Sequence, residues 1–349
     1  MIFGQYNFGD NMPKRIGKNV ILLNNRPSII GNAAVVGKKE GEGPLALEFD
    51  KIFEDEFLGK ETFEKAESEL VKEAVKTALN KAGLSPEEIN CCFSGDLLNQ
   101  CIGSSFGLRE FNIPFSGLYG ACSTMALSLA LASTLIDSGA LETAIAATSS
   151  HFCSAERQYR TPLEYGGQRP PCAQWTVTGS GALVLKNNIT DYPRVNAVIF
   201  GKIRDLGITD TNNMGAAMAP AASLLISEFL NETHTTPADF DLILTGDLGK
   251  VGSDILKELL IKESNIDISS VHNDCGIMIY DPKTQDVHAG GSGCGCSATV
   301  LCSHIINKLK TKELNRVFFV GTGALLSPTS SLQGESIPGI AHGVLLTSD

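Results

Sequence analysis

Apolar residues recur every three to four positions across residues 69–81, where Leu70, Val71, Ala74, Val75, Ala78 and Leu79 share one face. That period predicts an amphipathic helix, with Gly83 as its stop. Residues 121–136 are apolar nearly all round, through Ala126, Leu127, Leu129, Ala130, Leu131, Ala132, Leu135 and Ile136. A helix of that kind belongs between two sheets. It stops near Gly139 and leads to a short apolar strand at 143–147. A later helix at 297–309 leads in the same way to a strand at 316–320, and each half closes on a strand after a glycine, at Gly181 and Gly343. Strands alternating with helices predict α/β layers. Residues 32–60 and 150–174 read as irregular insertions, the second being the better cover for a site.

The pattern also repeats. Leu79-Asn80, Ser85-Pro86 and Gly95-Asp96-Leu97 return as Leu230-Asn231, Thr236-Pro237 and Gly246-Asp247-Leu248, at a constant offset of 151 residues. Six of the nineteen aligned positions are identical, where chance gives roughly one. In each copy a helix ends, and a hydroxyl followed by proline and acids starts another turn as N-cap. A short apolar strand then runs into a Gly-Asp loop. The expected fold is a five-layer αβαβα sandwich with duplicated halves, residues 1–190 and 191–349, and the apolar helices in its central layer.

Composition narrows the function. The chain has 349 residues, 43% of them hydrophobic and 19% charged, and a net charge of −11. That charge argues against nucleic acid as a partner. No run of about 18 apolar residues occurs, and no basic-then-apolar leader opens the chain. The ten cysteines have no zinc-like spacing; Cys294 and Cys296 are too close together for a knuckle. These features predict a soluble, cytosol-like protein with free thiols, held at any membrane by a partner.

Cys122, in the run 119–125, stands at the start of the apolar helix. Unpaired N–H groups and the helix dipole at such a place favour a thiolate, so a lowered pKa is expected there. The duplicated halves, a cysteine after Gly-Ala at a buried helix start, and Thr178-Gly-Ser-Gly-Ala182 ending the first half resemble the thiolase superfamily, with its thiolases and β-ketoacyl-carrier-protein synthases. More narrowly, Gly95-Asp-Leu-Leu-Asn-Gln100, Gly166-Gly-Gln-Arg169, Gln174-Trp-Thr-Val-Thr-Gly-Ser-Gly181 and His288-Ala-Gly-Gly-Ser-Gly-Cys-Gly-Cys296 resemble the bacterial stage V sporulation protein AD family. The resemblance spans nearly the whole chain. It implies a thiolase-like homodimer, paired across a twofold through the strand at 143–147. It implies a binder of dipicolinic acid (pyridine-2,6-dicarboxylate) or its calcium chelate, serving uptake into the developing spore. It implies no cofactor, any calcium travelling with the ligand. It implies integral membrane proteins of the spore dipicolinate channel as partners, with the protein peripheral at the forespore or spore inner membrane.

The condensing relatives need an oxyanion hole and a base. Where the synthases carry a histidine after the second repeat's strand, this chain has Thr245-Gly246-Asp247-Leu248. Where they carry an asparagine in Gly-Asn-x-Ser, it has Gly290-Gly291-Ser292-Gly293. The second cysteine of thiolases has no counterpart in 337–343. A non-catalytic binder is therefore expected, against the alternative of an acyl-transferring or condensing enzyme with Cys122 as nucleophile. The candidate ligand-binding residues are Cys122 and Ser123 at the helix start, and His151, His288 and His342. Arg157, Arg160 and Arg169 are expected to meet the carboxylates with guanidinium forks. Trp175 offers a ring face, and Gln174, Thr176 and Ser292 offer neutral donors.

Overall fold

The computed structural model describes residues 13–159, 169–187 and 189–348. The first half contains β1 (Ser28–Gly37), α1 (Phe63–Ala82), β2 (Cys91–Gly95), α2 (Ile102–Leu108), β3 (Phe115–Gly117), α3 (Thr124–Asp137), β4 (Thr143–Ser150), α4 (Phe152–Tyr159) and β5 (Gly179–Lys186). The second contains β6 (Arg194–Phe200), α5 (Met214–Thr233), β7 (Leu242–Thr245), α6 (Gly249–Ser264), β8 (His272–Asp274), α7 (Cys294–Val300), β9 (Arg316–Ala324) and β10 (Gly339–Thr347).

The duplication carries through to topology. Strand order is β1-β5-β4-β2-β3 in one half and β6-β10-β9-β7-β8 in the other. The directions match as well, with the first two pairings antiparallel and the last two parallel in each half. The two sheets meet at one register position, Arg194 opposite Ser28. Three apolar cores make the five layers. One holds α3 and α7 against the inner faces of both sheets, through Met125, Leu129, Leu183, Leu244, Cys296 and Phe319. A second packs α5 and α6 on the outer face of the second sheet, and a third packs α1 on the first.

Local chemistry places the repeated elements as expected. Glu88 accepts from the backbone N–H of Ser85 at 2.8 Å and Asp239 from that of Thr236 at 2.7 Å, with proline at the first helical position in both. Gly83 caps α1 at φ 66°. Thr62 is the N-cap of α1, accepting from the N–H of Lys65 at 3.3 Å, so the helix begins before the apolar stripe. The helix starting at Cys294 carries a π-helical stretch, Leu301–Ile305, before it resumes.

Three expectations are corrected. Residues 32–60 are not an irregular insertion throughout, because 28–37 form β1, whose ten residues are all buried. Residues 150–174 include α4. The strand at 143–147 cannot pair across a twofold, since β4 is flanked by β2 and β5. The outer strand of that sheet is β3. Among the described residues, no helix is long and apolar enough to cross a membrane.

Candidate functional site

The loops at the strand ends of both halves converge on Cys122. Ser123 does not face outward; its hydroxyl donates to the Gly120 carbonyl at 2.6 Å and tightens the turn into α3. Ala121 sits at φ 48°, a left-handed setting that side chains disfavour. Opposite, Trp175–Thr176 and Gly291–Ser292 form a two-stranded parallel ribbon with Thr176 beside Ser292. Gly293, at φ 97°, turns the chain from that ribbon into α7, and a Cβ there would lie 2.9 Å from the Ser150 hydroxyl.

A cavity of about 50 Å³ opens between these loops, lined by Cys122, Thr176, Ser292, Asp247, Tyr119 and Tyr159, with Leu97, Met214 and Leu326 among its apolar neighbours. Its only charged lining side chain, among the described residues, is Asp247. This carboxyl is fully buried. It accepts from the Gly293 N–H at 2.8 Å and the Thr322 hydroxyl at 2.8 Å. Burial pushes its pKa up to about 7 against those bonds.

The Cys122 thiol lies within hydrogen-bonding reach of Asp247. Desolvation first, then the Asp247 charge, holds the thiol well above its ordinary range. The expected lowering at a helix start is thus reversed. The first helical residue is Thr124, and the sulfur faces a carboxylate at close range. Burial of the thiol, with a carboxyl as its neighbour, outweighs a helix end worth about 0.3–1 kcal/mol.

Asp247 is fixed from behind. Asp274, also buried, accepts from the N–H groups of Leu248, Gly249 and Gly276 at 2.8–2.9 Å and from the Thr245 hydroxyl at 2.6 Å. Gln174 donates both amide protons, to the carbonyls of Asp247 and Gly291, each at 2.7 Å. It is a clamp between the Asp247 loop and the ribbon. The matching acid of the first half, Asp96, is packed away. It accepts from the Leu98 N–H at 2.9 Å and from the N–H and hydroxyl of Ser104 at 2.7 Å, beside buried Glu67.

Of the sequence candidates, Cys122, Thr176 and Ser292 line the cavity. His151 does not. Its Nε2 donates to the Glu56 carbonyl at 2.8 Å, and its Nδ1 accepts from the Cys153 N–H at 3.2 Å, which describes a neutral structural imidazole. His342, in β10, accepts from the Gly201 N–H at 3.4 Å and meets Phe200 edge-on. Arg157 pairs with Glu64. Arg169, Trp175 and His288 do come together, but outside the cavity. Phe152 stacks on the Trp175 ring at 3.8 Å, the cations of Lys39 and Arg169 lie over that ring, and Asp286 pairs with Arg169 and His288 at 3.0 Å. Arg160 lies outside the described residues. Sequence reasoning missed Tyr119, Tyr159, Met214 and Leu326, and noted Asp247 only as a replacement. Its recurrence in both copies of the repeat was the available signal.

Comparisons with known proteins bear on the family and the fold. The family model of stage V sporulation protein AD matches residues 17–347. The stage V sporulation protein AD of Bacillus subtilis is 47% identical over 332 residues, covering 95% of this chain and 97% of that one. Among solved structures, the 3-oxoacyl-[acyl-carrier-protein] synthase III of Aquifex aeolicus superposes with a TM-score of 0.55 at 14% identity, covering 92% of this chain and 99% of that one. Cerulenin-bound OleA of Xanthomonas campestris gives 0.56 at 14% identity, covering 95% and 100%. The fold is thiolase-like.

Proposed function

The chain belongs to the stage V sporulation protein AD family, and on that premise we propose that its Cys122 cavity is a non-catalytic site for dipicolinate, taken as the calcium chelate during uptake into the spore. The observation that carries this reading is Asp247. In a condensing enzyme the cysteine needs a neighbour that accepts its proton and stabilises the thiolate. Here burial first, and after it the neighbouring Asp247 carboxyl, raise the thiol's pKa and keep it protonated. The cavity lining includes no imidazole among the described residues.

The same carboxylate selects the form of the ligand. The free ligand is a dianion. A carboxylate about 4 Å from Asp247 would be repelled by roughly 4 kcal/mol at an effective dielectric of 20. Neither Arg157 nor Arg169 faces the cavity to offset that. The chelate is neutral overall, its calcium held by the ring nitrogen and both carboxylates. Calcium takes six to eight ligands and prefers oxygen, which leaves positions for Asp247 and the hydroxyls of Thr176 and Ser292. Calorimetry with the calcium chelate, and with dipicolinate in a chelator, tests this. The chelate should bind at least ten-fold more tightly, and Asp247→Asn should erase the difference. Equal binding of both forms by the parent protein refutes the chelate reading.

The homodimer belongs to the same proposal, with β3 as the strand that meets its copy. Phe115 on that strand is 40% exposed and Phe106 beside it 57%. A partner in the membrane, an integral protein of the dipicolinate channel, completes the reading.

A further inference from the structure

Two hollows meet at a pair of tyrosines. The inner one is the Cys122 cavity. The outer is a cleft of about 320 Å³, lined by Asn99, Gln100, Cys101, Leu325, Ser327 and Pro328 among others. Tyr119, Tyr159 and Leu326 line both. The Tyr159 hydroxyl donates to the Leu97 carbonyl. Its single proton is then used, so across the 2.9 Å between the two hydroxyls Tyr119 is the donor. A directed chain, Tyr119 to Tyr159 to Leu97, runs where the two spaces meet.

We propose that the outer cleft is an access subsite for a small planar carboxylate, and that the Tyr119–Tyr159 pair is the gate through which it reaches Cys122. The proposal rests on the ligand reading above for the identity of the cargo, but the gate is a property of the protein alone. Three observations carry it. The inner space, about 50 Å³, has room for roughly three or four waters at about 10–15 Å³ each. With so little free space behind the two rings, moving them widens the way to Cys122. The two rings come from different elements, the loop before α3 and the last residue of α4. Side-chain rotation therefore parts them without breaking a strand pairing. The outer floor is strained, since Gln100 and Cys101 are left-handed at φ 61° and 53° although neither is glycine; such settings concentrate where ligands are handled. The outer lining carries no charged side chain among the described residues. Its amides and hydroxyls suit a ligand whose charge is already compensated.

Labelling of Cys122 reads the gate without any ligand. The full-length protein is treated with iodoacetamide or with a bulky aryl maleimide, and modification is followed peptide by peptide. Tyr159→Phe removes both hydrogen bonds of the chain while keeping the ring, and Tyr159→Ala removes the ring. Gln158 donates to the Leu97 carbonyl at 3.0 Å and accepts from the Asn99 N–H at 2.9 Å, so the end of α4 stays attached in either variant. Maleimide labelling of Cys122 should rise about ten-fold in Tyr159→Phe and further in Tyr159→Ala. Iodoacetamide labelling should rise less, and Cys92 and Cys302, buried in other clusters, should stay unmodified. A maleimide rate in Tyr159→Ala equal to the parent rate overturns the gate. So does a rise shared equally by both reagents and by Cys302, which would mark general loosening. A protein that fails to bind dipicolinate yet passes the labelling test loses the ligand reading and keeps the gate.

Discussion

Asp247→Asn separates the cost of the buried acid from its use. The carboxyl titrates near pH 3.8 in an unfolded chain and at about 7 in the folded one. A displacement of about three pH units, at 1.36 kcal/mol each, means that holding the ionised group in the fold costs roughly 4 kcal/mol. Because the folded value is the higher one, the folded chain binds the extra proton between about pH 4 and 7. Stability therefore falls as pH rises through that window, and the full penalty applies above it. Asparagine is isosteric and neutral. It keeps an acceptor for Thr322 or Gly293 but not for both, a loss of about 1 kcal/mol. At pH 5 the unfolded carboxyl is already mostly ionised, so roughly 1.5 kcal/mol of the penalty is present and the variant should be about 0.5 kcal/mol more stable than the parent. At pH 8 it should be about 3 kcal/mol more stable. Urea unfolding of both proteins at matched concentration, at pH 5 and pH 8, measures the gap. A gap that stays constant across that range refutes the assignment of a buried, reluctantly ionised carboxylate, and with it the account of the neutral thiol.

Three further outcomes follow from the geometry. Purified protein should turn over neither acetyl nor malonyl thioesters above buffer, and Cys122→Ala should change nothing; turnover abolished by that substitution would make the site catalytic. Arg157→Ala and Arg169→Ala should bind the calcium chelate within about two-fold of the parent at matched salt, because their partners are Glu64 and Asp286; a ten-fold loss in calorimetry would put a guanidinium in the site. Phe115→Asp should convert a dimer into a species of 37.1 kDa by light scattering, and a dimer that survives it would move the interface away from β3.

Much of the architecture was legible because it was written twice. The Ser-Pro and Thr-Pro starts, the Gly-Asp loops and the apolar helix at 121–136 each have one local cause, and each folds as its local chemistry directs. The first strand was not legible. Asn32 and the glycines at 31 and 37 break any alternation, and Asn32 is tolerated inside because its amide donates to the Cys302 carbonyl at 2.7 Å, 270 residues away. The site was half legible. Cys122, Thr176 and Ser292 lie in motifs, whereas Leu97, Met214 and Leu326 meet only through the packing of the halves. The arginines misled for a related reason. A sequence shows that a guanidinium is present, but the acid that captures it, Glu64 or Asp286, comes from a distant segment. The thiol's chemistry likewise depended on a carboxylate 125 residues further on, at Asp247.

Asp96 and Asp247 occupy matching turns of matching strands, one sealed in packed protein and the other bordering empty space. The molecule thus carries its own internal reference. Changing either acid to asparagine makes the same chemical edit in the same backbone setting. What the two edited proteins share belongs to the repeated turn, and what differs belongs to their surroundings, Ser104 and Glu67 for one and the cavity for the other. Few cavities come with a built-in counterpart, and here the internal repeat supplies one in the same polypeptide.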